Sequence, residues 1–302
     1  MFRLLLRKQL NKSIRVKTIT EFTRFVALFA GVTLAGYPLH ADNGSFASTV
    51  SARLVVVGLT DAGELVQFRA GYPEGARSVG YVTGLNSPDT ALIGIDYRVQ
   101  DGKLYGVGNS GGVYTIDDTT GVATFVNALT VTLTGAKFDI DFNPNADRLR
   151  LVSDTGQNLA HNVNSGGTTT MNDMLTYTAP PGTPTAALGI TAVAYTNNDL
   201  DSNTLTTLFD IDTMMDQVVI QSPPNNGILV GAGKLGVDAG SDAGFDIYSS
   251  MTDTRTELNS GFASLSVGGY YNFYFIRLLP GEAEYIGAFN KPVVDIAIPL
   301  NQ

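Results

Sequence analysis

The sequence of 302 residues contains no cysteine and only two histidines. Without cysteine the chain cannot form a disulfide, use a thiolate nucleophile, bind a metal through a thiolate or carry a lipid on sulfur. His161 is the only histidine outside the first 41 residues, so a single chain cannot build a multi-histidine metal site there. A chain of this length can bury a core without covalent cross-links.

Basic residues are also scarce. Of the 19 Lys and Arg and the 28 Asp and Glu, 7 basic residues and 1 acidic residue lie in residues 1–41, so the rest of the chain has a net charge of −15. Nucleic acids and anionic membrane surfaces attract Lys and Arg, so we expect neither as a partner. An acidic surface favours solubility and could hold divalent cations.

Residues 1–41 are typical of an export signal peptide. Basic residues occur from Arg3 to Arg24, an apolar run follows at Phe25–Leu39, and the small residue Ala41 comes before a polar stretch. This order predicts cleavage after Ala41. An uncleaved anchor is the alternative, but the apolar run is shorter than the ~20 residues that span a bilayer. We therefore expect an exported protein, in the periplasm, secreted or at the cell surface, with no membrane span after cleavage.

A strand pattern occurs twice in the chain, and no helical period is found beyond the leader. Residues 91–108 align without a gap on residues 136–153, and both read as a hydrophobic-Asp-aromatic strand, a polar turn and a second strand. Repeated strands with a period near fifty residues are typical of propeller blades. We predict a single all-β domain at residues 53–302, preceded by a linker at residues 42–52.

The repeats predict a five-bladed β-propeller. The first unit, which starts at Leu54, lacks an inner strand, whereas the chain ends on an inner-strand pattern. If this last strand completes the first blade, the ring closes and two free sheet edges disappear. Six blades, or an open arrangement of two sheets, are the alternatives. The inner strands are expected at Ala91–Tyr97, Phe138–Phe142, Ile190–Tyr195, Gly244–Tyr248 and Val293–Ile298.

Short motifs of known chemistry occur here as turns or by accident. Asp154-Thr-Gly156 matches half of an aspartic protease pair, but a second such tripeptide is missing. Earlier units carry Asp61-Ala-Gly63 and Gly111 at the same place, which indicates turns in which Asp caps and Gly takes a positive φ. Gly106–Gly111 and Gly231–Gly236 spell G-x-G-x-x-G, but no helix pattern follows either, so neither predicts a dinucleotide site.

Aspartate in the inner strands is the most informative feature. Asp96, Asp141, Asp246 and Asp295 stand at equivalent places between apolar residues, and the fourth unit has Ala194 instead. Aspartate is depleted in strands, so this recurrence needs a cause. Either the carboxylates accept hydrogen bonds from neighbouring turns and hold the repeats together, or they line a central channel. In a channel they could bind Ca²⁺ or act as an acid and base on a glycan.

Two arginines form the other candidate site. Arg148 and Arg150 alternate on one strand face, so they could clamp a carboxylate ligand or pair with nearby acids and tie two blades together. His161 has no Ser or Cys partner in a nucleophile motif, so we expect it to be exposed or to act as a structural donor. The aromatic run at residues 270–275 could cover a sugar, but its alternation favours packing.

The segment Phe142-Asn-Pro-Asn-Ala-Asp-Arg-Leu-Arg-Leu-Val-Ser-Asp-Thr-Gly-Gln-Asn158 resembles the signature of a bacterial exported family, domain of unknown function forty-three ninety-four. Pieces such as Gly94–Arg98 and Gln221–Pro224 extend the resemblance over about residues 54–298. It implies a propeller-like fold and transfers no activity, ligand or catalytic residue. After the signature the family usually carries a basic residue, where this chain has Ala160-His161.

These patterns support three hypotheses about function. The first is a non-catalytic binding or scaffold module that engages an unknown small-molecule, glycan or protein ligand at one face of the ring. The lack of a complete catalytic set favours it over an enzyme. The second is a glycan-acting hydrolase or lyase that uses the inner-strand aspartates. The third is a structural surface protein stabilised by Ca²⁺, the one cofactor that the residues suggest.

Overall fold

The computed structural model describes residues 51–178 and 182–302. The predicted signal peptide at residues 1–41, and most of the predicted linker, lie outside the described residues. The last linker positions begin a short 3-10 turn at Ser51–Arg53. None of the helices in the described part is long and apolar enough to cross a membrane.

Strands are the main secondary structure of the described residues, as the alternation of the sequence predicts. Between the strands, Gly, Asn, Asp and Pro reverse the chain in short turns. The strands in chain order are β1 (Val55–Thr60), β2 (Glu64–Arg69), β3 (Tyr72–Tyr81), β4 (Leu92–Tyr97), β5 (Leu104–Gly108), β6 (Gly112–Ile116), β7 (Ala123–Ala128), β8 (Phe138–Asn143), β9 (Arg148–Ser153), β10 (Asn158–His161), β11 (Thr169–Met171), β12 (Thr176–Tyr177), β13 (Thr185–Ala186), β14 (Ile190–Tyr195), β15 (Leu208–Asp212), β16 (Gln217–Gln221), β17 (Ile228–Lys234), β18 (Ala239–Thr252), β19 (Arg255–Val267), β20 (Tyr270–Ile276), β21 (Ala283–Ala288) and β22 (Val293–Ala297).

These strands assemble into five sheets in the described part of the chain, and each sheet is one blade. Blade 1 has the order β22-β1-β2-β3, blade 2 contains β4 to β7, and blade 3 contains β8 to β11. Blade 4 contains β12 to β17, and blade 5 contains β18 to β21. The innermost strands β22, β4, β8, β14 and β18 pack against one another in that order, and β18 contacts β22 in turn. The predicted five-bladed propeller is therefore confirmed.

The C-terminal strand closes the ring. β22 pairs antiparallel with β1, placing Ala297 opposite Val57 and Asp295 opposite Leu59. The last residue adds a clasp, because the Gln302 side-chain amide donates to the Val55 carbonyl oxygen at 2.9 Å and accepts from the Val55 N–H at 2.7 Å. The first and last strands of the domain thus share one sheet, and β22 covers the edge of β1 that would otherwise be unpaired.

Apolar side chains fill the junctions between blades. A separate cluster lies between each adjacent pair of blades, and Phe209 with Phe245 between blades 4 and 5 is one example. Burying one side chain of this size stabilises the fold by about 1.5–3 kcal/mol. The aromatic run in β20 packs as expected, since Phe273 and Phe275 are buried between blades 5 and 1. Its first residue, Tyr270, is exposed.

Two features of the blades go beyond the sequence pattern. The hairpin of β18 and β19 extends to a turn at residues 253–254. Residues 249–252 of β18 pair with residues 255–259 of β19, although neither segment has an alternation of apolar residues. Blade 4 has two extra short strands at its outer edge, where β12 runs parallel to β17.

Candidate functional site

Five carboxyl groups lie along the axis of the ring. We call them the axial aspartates: Asp96, Asp139, Asp141, Asp246 and Asp295. All five stand on innermost strands and are at most 6% exposed. Four of them, Asp96, Asp141, Asp246 and Asp295, are the inner-strand aspartates that the sequence pattern singles out. The fifth, Asp139, lies two residues before Asp141. Because side chains alternate along a strand, Asp139 and Asp141 point to the same side of β8.

Each axial aspartate accepts a hydrogen bond from the backbone of the next blade. An enclosed carboxylate needs such donors, because an unpaired polar group away from water is costly. The bonds therefore hold neighbouring inner strands together close to the axis. They run from Ile95 N–H to Asp295 (2.7 Å), from Phe142 N–H to Asp96 (2.7 Å), from Val193 N–H to Asp139 (2.8 Å), from Tyr195 N–H to Asp141, and from Ile298 N–H to Asp246 (2.6 Å).

The axial aspartates form two layers. One oxygen of each of Asp96, Asp141 and Asp246 lies within 4.8 Å of the others, and we call this set the carboxylate triad. Asp139 and Asp295 share a hydrogen bond, and we call them the carboxyl pair. A hydrogen bond between two carboxyl groups requires a proton on one of them, so the pair carries at most one negative charge.

The position of Asp295 differs from the sequence alignment. The repeats align Asp295 with Asp96, Asp141 and Asp246, whereas the structure places it beside Asp139. The reason is a shift of two residues: Ile298, not Ile296, donates to Asp246. Gly244 allows the close approach, since a Cβ at this position would lie 2.4 Å from the Asp295 Cα. The residue of β22 at the level of the triad is therefore Ala297.

Enclosure makes the axial aspartates hold protons more tightly than usual. Burial raises the pKa of Asp246 to about 7 and that of Asp295 to about 7. Burial, followed by the charge of a neighbouring axial aspartate, raises the pKa of Asp96, Asp139 and Asp141 well above the usual value. Both effects disfavour the charged form, because like charges lie close together where water is excluded.

Blade 4 has no axial aspartate, and amide groups hold it to blade 5 instead. Ala194 occupies the inner-strand position, as the sequence shows. The side chains of Asn197 and Asn259 bond to each other at 2.7 Å, and Asn198 donates from its side chain to the Ile247 carbonyl oxygen at 3.0 Å. The long hairpin of blade 5, which the sequence did not predict, supplies Asn259 and replaces the missing carboxylate.

Arg150 is buried between blades 3 and 4. Its guanidinium donates to the side chains of Asn158 (2.7 Å), Asn225 (2.9 Å) and Tyr195 (3.1 Å). Asp210 on the facing strand is fully enclosed, and neither of its carboxylate oxygens has a hydrogen-bond partner. Burial raises the pKa of Asp210 well above its usual range, and the charge of Arg150 opposes this rise. Asp210 could not be singled out from the sequence, because it is one acid in an otherwise apolar strand.

The two candidate arginines bind different partners. Arg148 is exposed and donates to the carbonyl oxygens of Ala146 (3.3 Å) and Asp147 (2.7 Å) in its own turn. The side chain of Asp147 instead binds Arg98 of blade 2 through both carboxylate oxygens, at 2.8 and 2.6 Å. Arg98, which the sequence did not single out, thus ties blades 2 and 3 together, and Arg148 and Arg150 share no polar partner.

His161 is a buried structural residue. Its Nε2 lies 2.9 Å from the Asn127 Oδ1, and its Nδ1 lies 3.0 Å from the Thr169 hydroxyl. The Asn127 amide nitrogen faces backbone carbonyl oxygens, so its Oδ1 accepts and the histidine Nε2 donates. Burial, helped by the charge of Arg148, lowers the pKa of His161 to about 4.

The short motifs lie in turns. Gly63, Gly111 and Gly156 have positive φ angles of 74°, 97° and 84°, which glycine adopts without strain. Asp61 is exposed in the turn between β1 and β2. Asp154 accepts from the Ala136 N–H at 2.9 Å and so ties its turn to the start of blade 3. None of these residues approaches the geometry of a protease pair, since Asp154 has no carboxyl partner among its described contacts.

A shallow cleft of about 440 Å³ lies beside the loop that joins blades 2 and 3. Leu129, Val131 and Leu133 form its half-buried floor, while Thr130 and Thr132 point outward. Asn109 and Ser110, in the turn between β5 and β6, complete the lining. The cleft contains no ionisable side chain, so it offers hydroxyl, amide and apolar contacts only.

Five sheets of four or six strands around an enclosed acidic axis, closed by the last strand, define the protein as a five-bladed β-propeller. The chain belongs to the family DUF4394, described as a domain of unknown function, and the family model matches residues 64–297. The resemblance carried by the signature at residues 142–158 is thus confirmed at the level of the family. No curated protein matches the sequence.

Several solved structures resemble the chain. They include an auxiliary nutrient binding protein from Bacteroides ovatus (13% identity, 59% of this chain and 46% of that chain, TM-score 0.36). A protein of unknown function from Bacteroides thetaiotaomicron is 14% identical over 78% of this chain and 64% of that chain, with a TM-score of 0.40. YCF48 bound to D1 peptide is 10% identical over 74% and 60%, with a TM-score of 0.34. The chain spans 46% to 64% of the length of these proteins, and the likenesses are too distant to carry a function.

Proposed function

We propose that the protein is an exported, non-catalytic binding module built on the propeller. One observation carries this proposal: the candidate catalytic side chains are already engaged in hydrogen bonds that hold strands and blades together. The axial aspartates accept backbone donors from the next blade and are at most 6% exposed. Arg150 and His161 are buried and bonded between strands. An acid and base must reach a substrate to work, so these groups support assembly rather than catalysis.

The glycan-acting alternative fits the axis less well. Glycoside hydrolysis needs two carboxyl groups that face a sugar from opposite sides, about 5–9.5 Å apart. In the carboxylate triad, one oxygen of each group lies within 4.8 Å of the others, and all three groups are enclosed by inner strands. A sugar ring would have to enter a space that already contains the backbone donors of the next blade.

The cleft between blades 2 and 3 is the ligand site that we propose for this module. Its volume of about 440 Å³ lies in the range of small-molecule sites, about 300–1,000 Å³. The exposed hydroxyls of Thr130 and Thr132 above an apolar floor suit a neutral, hydroxyl-rich or amide-rich ligand such as a glycan or peptide. The cleft has no charge with which to hold an anion.

Array binding of the purified protein tests this proposal. We expect retention of a neutral glycan or peptide class, loss of retention in Thr132→Trp, which fills the cleft, and normal retention in Thr124→Trp. Thr124 is an exposed threonine on β7, outside the cleft lining, and serves as the matched control. Equal retention by Thr132→Trp would place the ligand elsewhere, and release of reducing sugar from a retained glycan would establish the hydrolase instead.

Export has its own test. We expect the protein recovered from outside the cytoplasm to begin at Asp42, because the basic, apolar and small-residue order of residues 1–41 predicts cleavage there. The N-terminal sequence of the recovered protein, or its intact mass, reads this out. Recovery of the uncleaved chain in the membrane fraction would favour the anchor.

A second candidate function is a structural protein stabilised by a hard cation such as Ca²⁺. The enclosed carboxylate triad favours it, since three carboxylates close together offer the oxygen ligands that Ca²⁺ takes. Under this proposal the cation is part of the fold rather than of a reaction. The cation would therefore be detected through the melting temperature, because an ion that binds only the folded protein raises it.

A further inference from the structure

The level of the carboxylate triad has an unusual composition. Blades 2, 3 and 5 contribute Asp96, Asp141 and Asp246, whereas blades 4 and 1 contribute Ala194 and Ala297. Three acids thus face two methyl groups around the axis. Because Ala194 and Ala297 have no polar side-chain atoms, blades 4 and 1 contribute no polar side chain at this level of the axis.

One oxygen of the triad is unsatisfied. Asp141 is 2% exposed, and its Oδ1 has no hydrogen-bond partner. Asp96 and Asp246 accept hydrogen bonds only from backbone N–H groups, on their own strand or on the inner strand of the next blade. Each of their oxygens therefore keeps a free lone pair. A buried oxygen without a partner is rare in a folded protein, and an ion is one of the recognised explanations.

The nearby cations of the described chain are already engaged. Arg150 binds Asn158, Asn225 and Tyr195, and Lys137 forms an ion pair with Asp242 of blade 5. Neither donates to the triad. The triad is therefore a set of acids with an unsatisfied oxygen and with no protein cation bonded to it among the described residues.

We propose that Asp96, Asp141 and Asp246 hold one Ca²⁺ on the axis of the ring. The inference rests on the second function proposed above, for which it names the ligands and leaves out Asp295. One oxygen from each of the three carboxylates lies within 4.8 Å of the other two, so the triad offers three oxygens to a single ion. Ca²⁺ accepts oxygen ligands at about 2.3–2.6 Å in a flexible geometry, whereas Mg²⁺ demands a near-ideal octahedron at about 2.0–2.1 Å and keeps several waters.

The ion would link three blades that are not all neighbours. Asp96 and Asp141 stand on adjacent blades 2 and 3, and Asp246 stands across the axis on blade 5. The hydrogen bonds of the axial aspartates join only successive blades, so the cation adds a connection of a different kind. Coordination would also give a ligand to the carboxylate of Asp141, one oxygen of which has no hydrogen-bond partner.

Thermal unfolding of the purified protein in EDTA and in excess Ca²⁺ tests this site. We expect Ca²⁺ to raise the melting temperature by several degrees, more than the same concentration of Mg²⁺, and calorimetric titration to find one ion per chain. In Asp141→Asn, which keeps the shape of the side chain, we expect the Ca²⁺-dependent shift to disappear. Asp201→Asn is the matched control, because Asp201 lies in an acid-rich surface turn and pairs with Arg255.

The outcomes separate the site from the proposal on which it rests. A Ca²⁺ shift that persists in Asp141→Asn overturns the triad as the site and leaves a cation-stabilised protein standing. The absence of any Ca²⁺ effect on the unsubstituted protein overturns both. If Asp141→Asn does not fold, native mass spectrometry of the unsubstituted protein decides, since the proposal requires one retained Ca²⁺ and fails without it. None of these results bears on ligand binding at the cleft.

Discussion

A carboxylate in the middle of an inner strand can serve the fold only if its oxygens find donors. The axial aspartates find them on the neighbouring blade, which is why an amino acid that strands usually avoid recurs at this position. Each bond joins residues that are far apart in sequence, such as Asp295 and Ile95. At the scale of single residues, the same arrangement stores negative charge that must be neutralised by protons or by a cation.

We predict that the cation-free protein becomes more stable as the pH falls from 7.5 to 5.5. The pKa of Asp246 and of Asp295 is raised from 3.8 to about 7 in the folded protein. The folded state therefore binds more protons than the unfolded state between these values, and this stabilisation is lost as the pH rises through about 7. Each group contributes on the order of 1–2 kcal/mol over this range.

Denaturant unfolding in EDTA at several pH values measures the effect. The double variant Asp246→Asn, Asp295→Asn is the control, because its amides do not titrate and its pH dependence should be flatter. A variant curve parallel to that of the unsubstituted protein would contradict the assignment to these two groups.

His161 should remain neutral far below the usual pKa of histidine. Burial lowers its pKa to about 4, so the imidazole carbon-bound proton shifts should stay constant from pH 7.5 to about 5. Two-dimensional NMR of the imidazole groups, with His161→Asn to assign the signal, reads this out. Titration near pH 6.5 would mean that the ring is solvated. The sign is opposite to that of the aspartates, because protonating the unfolded histidine costs stability as the pH falls through 6.5.

At the scale of the elements, the terminal strand is the piece on which the ring depends. Val293, Ile296, Ala297 and Ile298 in and after β22 are buried, and β22 also carries Asp295 and borders Asp246. We predict that a chain ending at Pro292 does not reach a cooperative folded state, since it exposes the inner edge of blade 1 and breaks two of the axial bonds.

Circular dichroism and thermal unfolding of the truncated chain test this prediction. A chain ending at Leu300 is the control, because it keeps β22 and removes only the hydrogen bonds of Gln302 with Val55 and with the Tyr248 hydroxyl, so it should lose little stability. A cooperative transition of the Pro292 truncation near that of the full chain would show that the closure is dispensable.

Alternation in the sequence was enough to predict the five inner strands and the closing role of the last one. It could not determine the register of β22, because a shift of two residues leaves every side chain on the same face of a strand. Asp295 could therefore be aligned with Asp96 although it lies beside Asp139. The extended hairpin of blade 5 could not be predicted either. The paired residues 249–252 and 255–259 are mostly polar, so they show no apolar alternation from which a strand could be recognised.

The axial site was predictable in part. The recurrence of Asp96, Asp141 and Asp246 pointed to the axis, and the same two-residue period would have added Asp139. The partners of Arg150 outside its own blade could not be predicted, because Tyr195 and Asn225 belong to blade 4 and meet Arg150 only when blades 3 and 4 pack. Contacts between blades depend on three-dimensional packing that a repeat pattern does not encode.

At the scale of the whole molecule, the ring is held by sheet pairing within blades and by packing between them. Circular permutants, in which Gln302 is joined to Ser51 and the chain is opened elsewhere, separate the contribution of sheet pairing from that of packing between blades. We predict that a circular permutant opened at Gly166, inside blade 3, melts at a higher temperature than one opened at Gly236, between blades 4 and 5. The first keeps its two ends paired in one sheet, whereas the second leaves them in different sheets, joined by packing and by a few hydrogen bonds between blades 4 and 5.

The two glycines make matched sites for this comparison. Both are in turns with positive φ, and both have open space around the position of a Cβ. Differential scanning calorimetry of the two permutants gives the difference directly. Equal melting temperatures would mean that packing between blades closes the ring as well as a shared sheet does.

The amide contacts between blades 4 and 5 have a consequence for how this ring responds to its surroundings. Acid, base or a bound ion can change the charge of the carboxyl groups that join the other blades, but Asn197, Asn198 and Asn259 have no proton to gain or lose near neutral pH. Near the axis, therefore, four of the five seams of the propeller are joined by groups whose charge can change, whereas the seam between blades 4 and 5 is joined there by groups whose charge cannot.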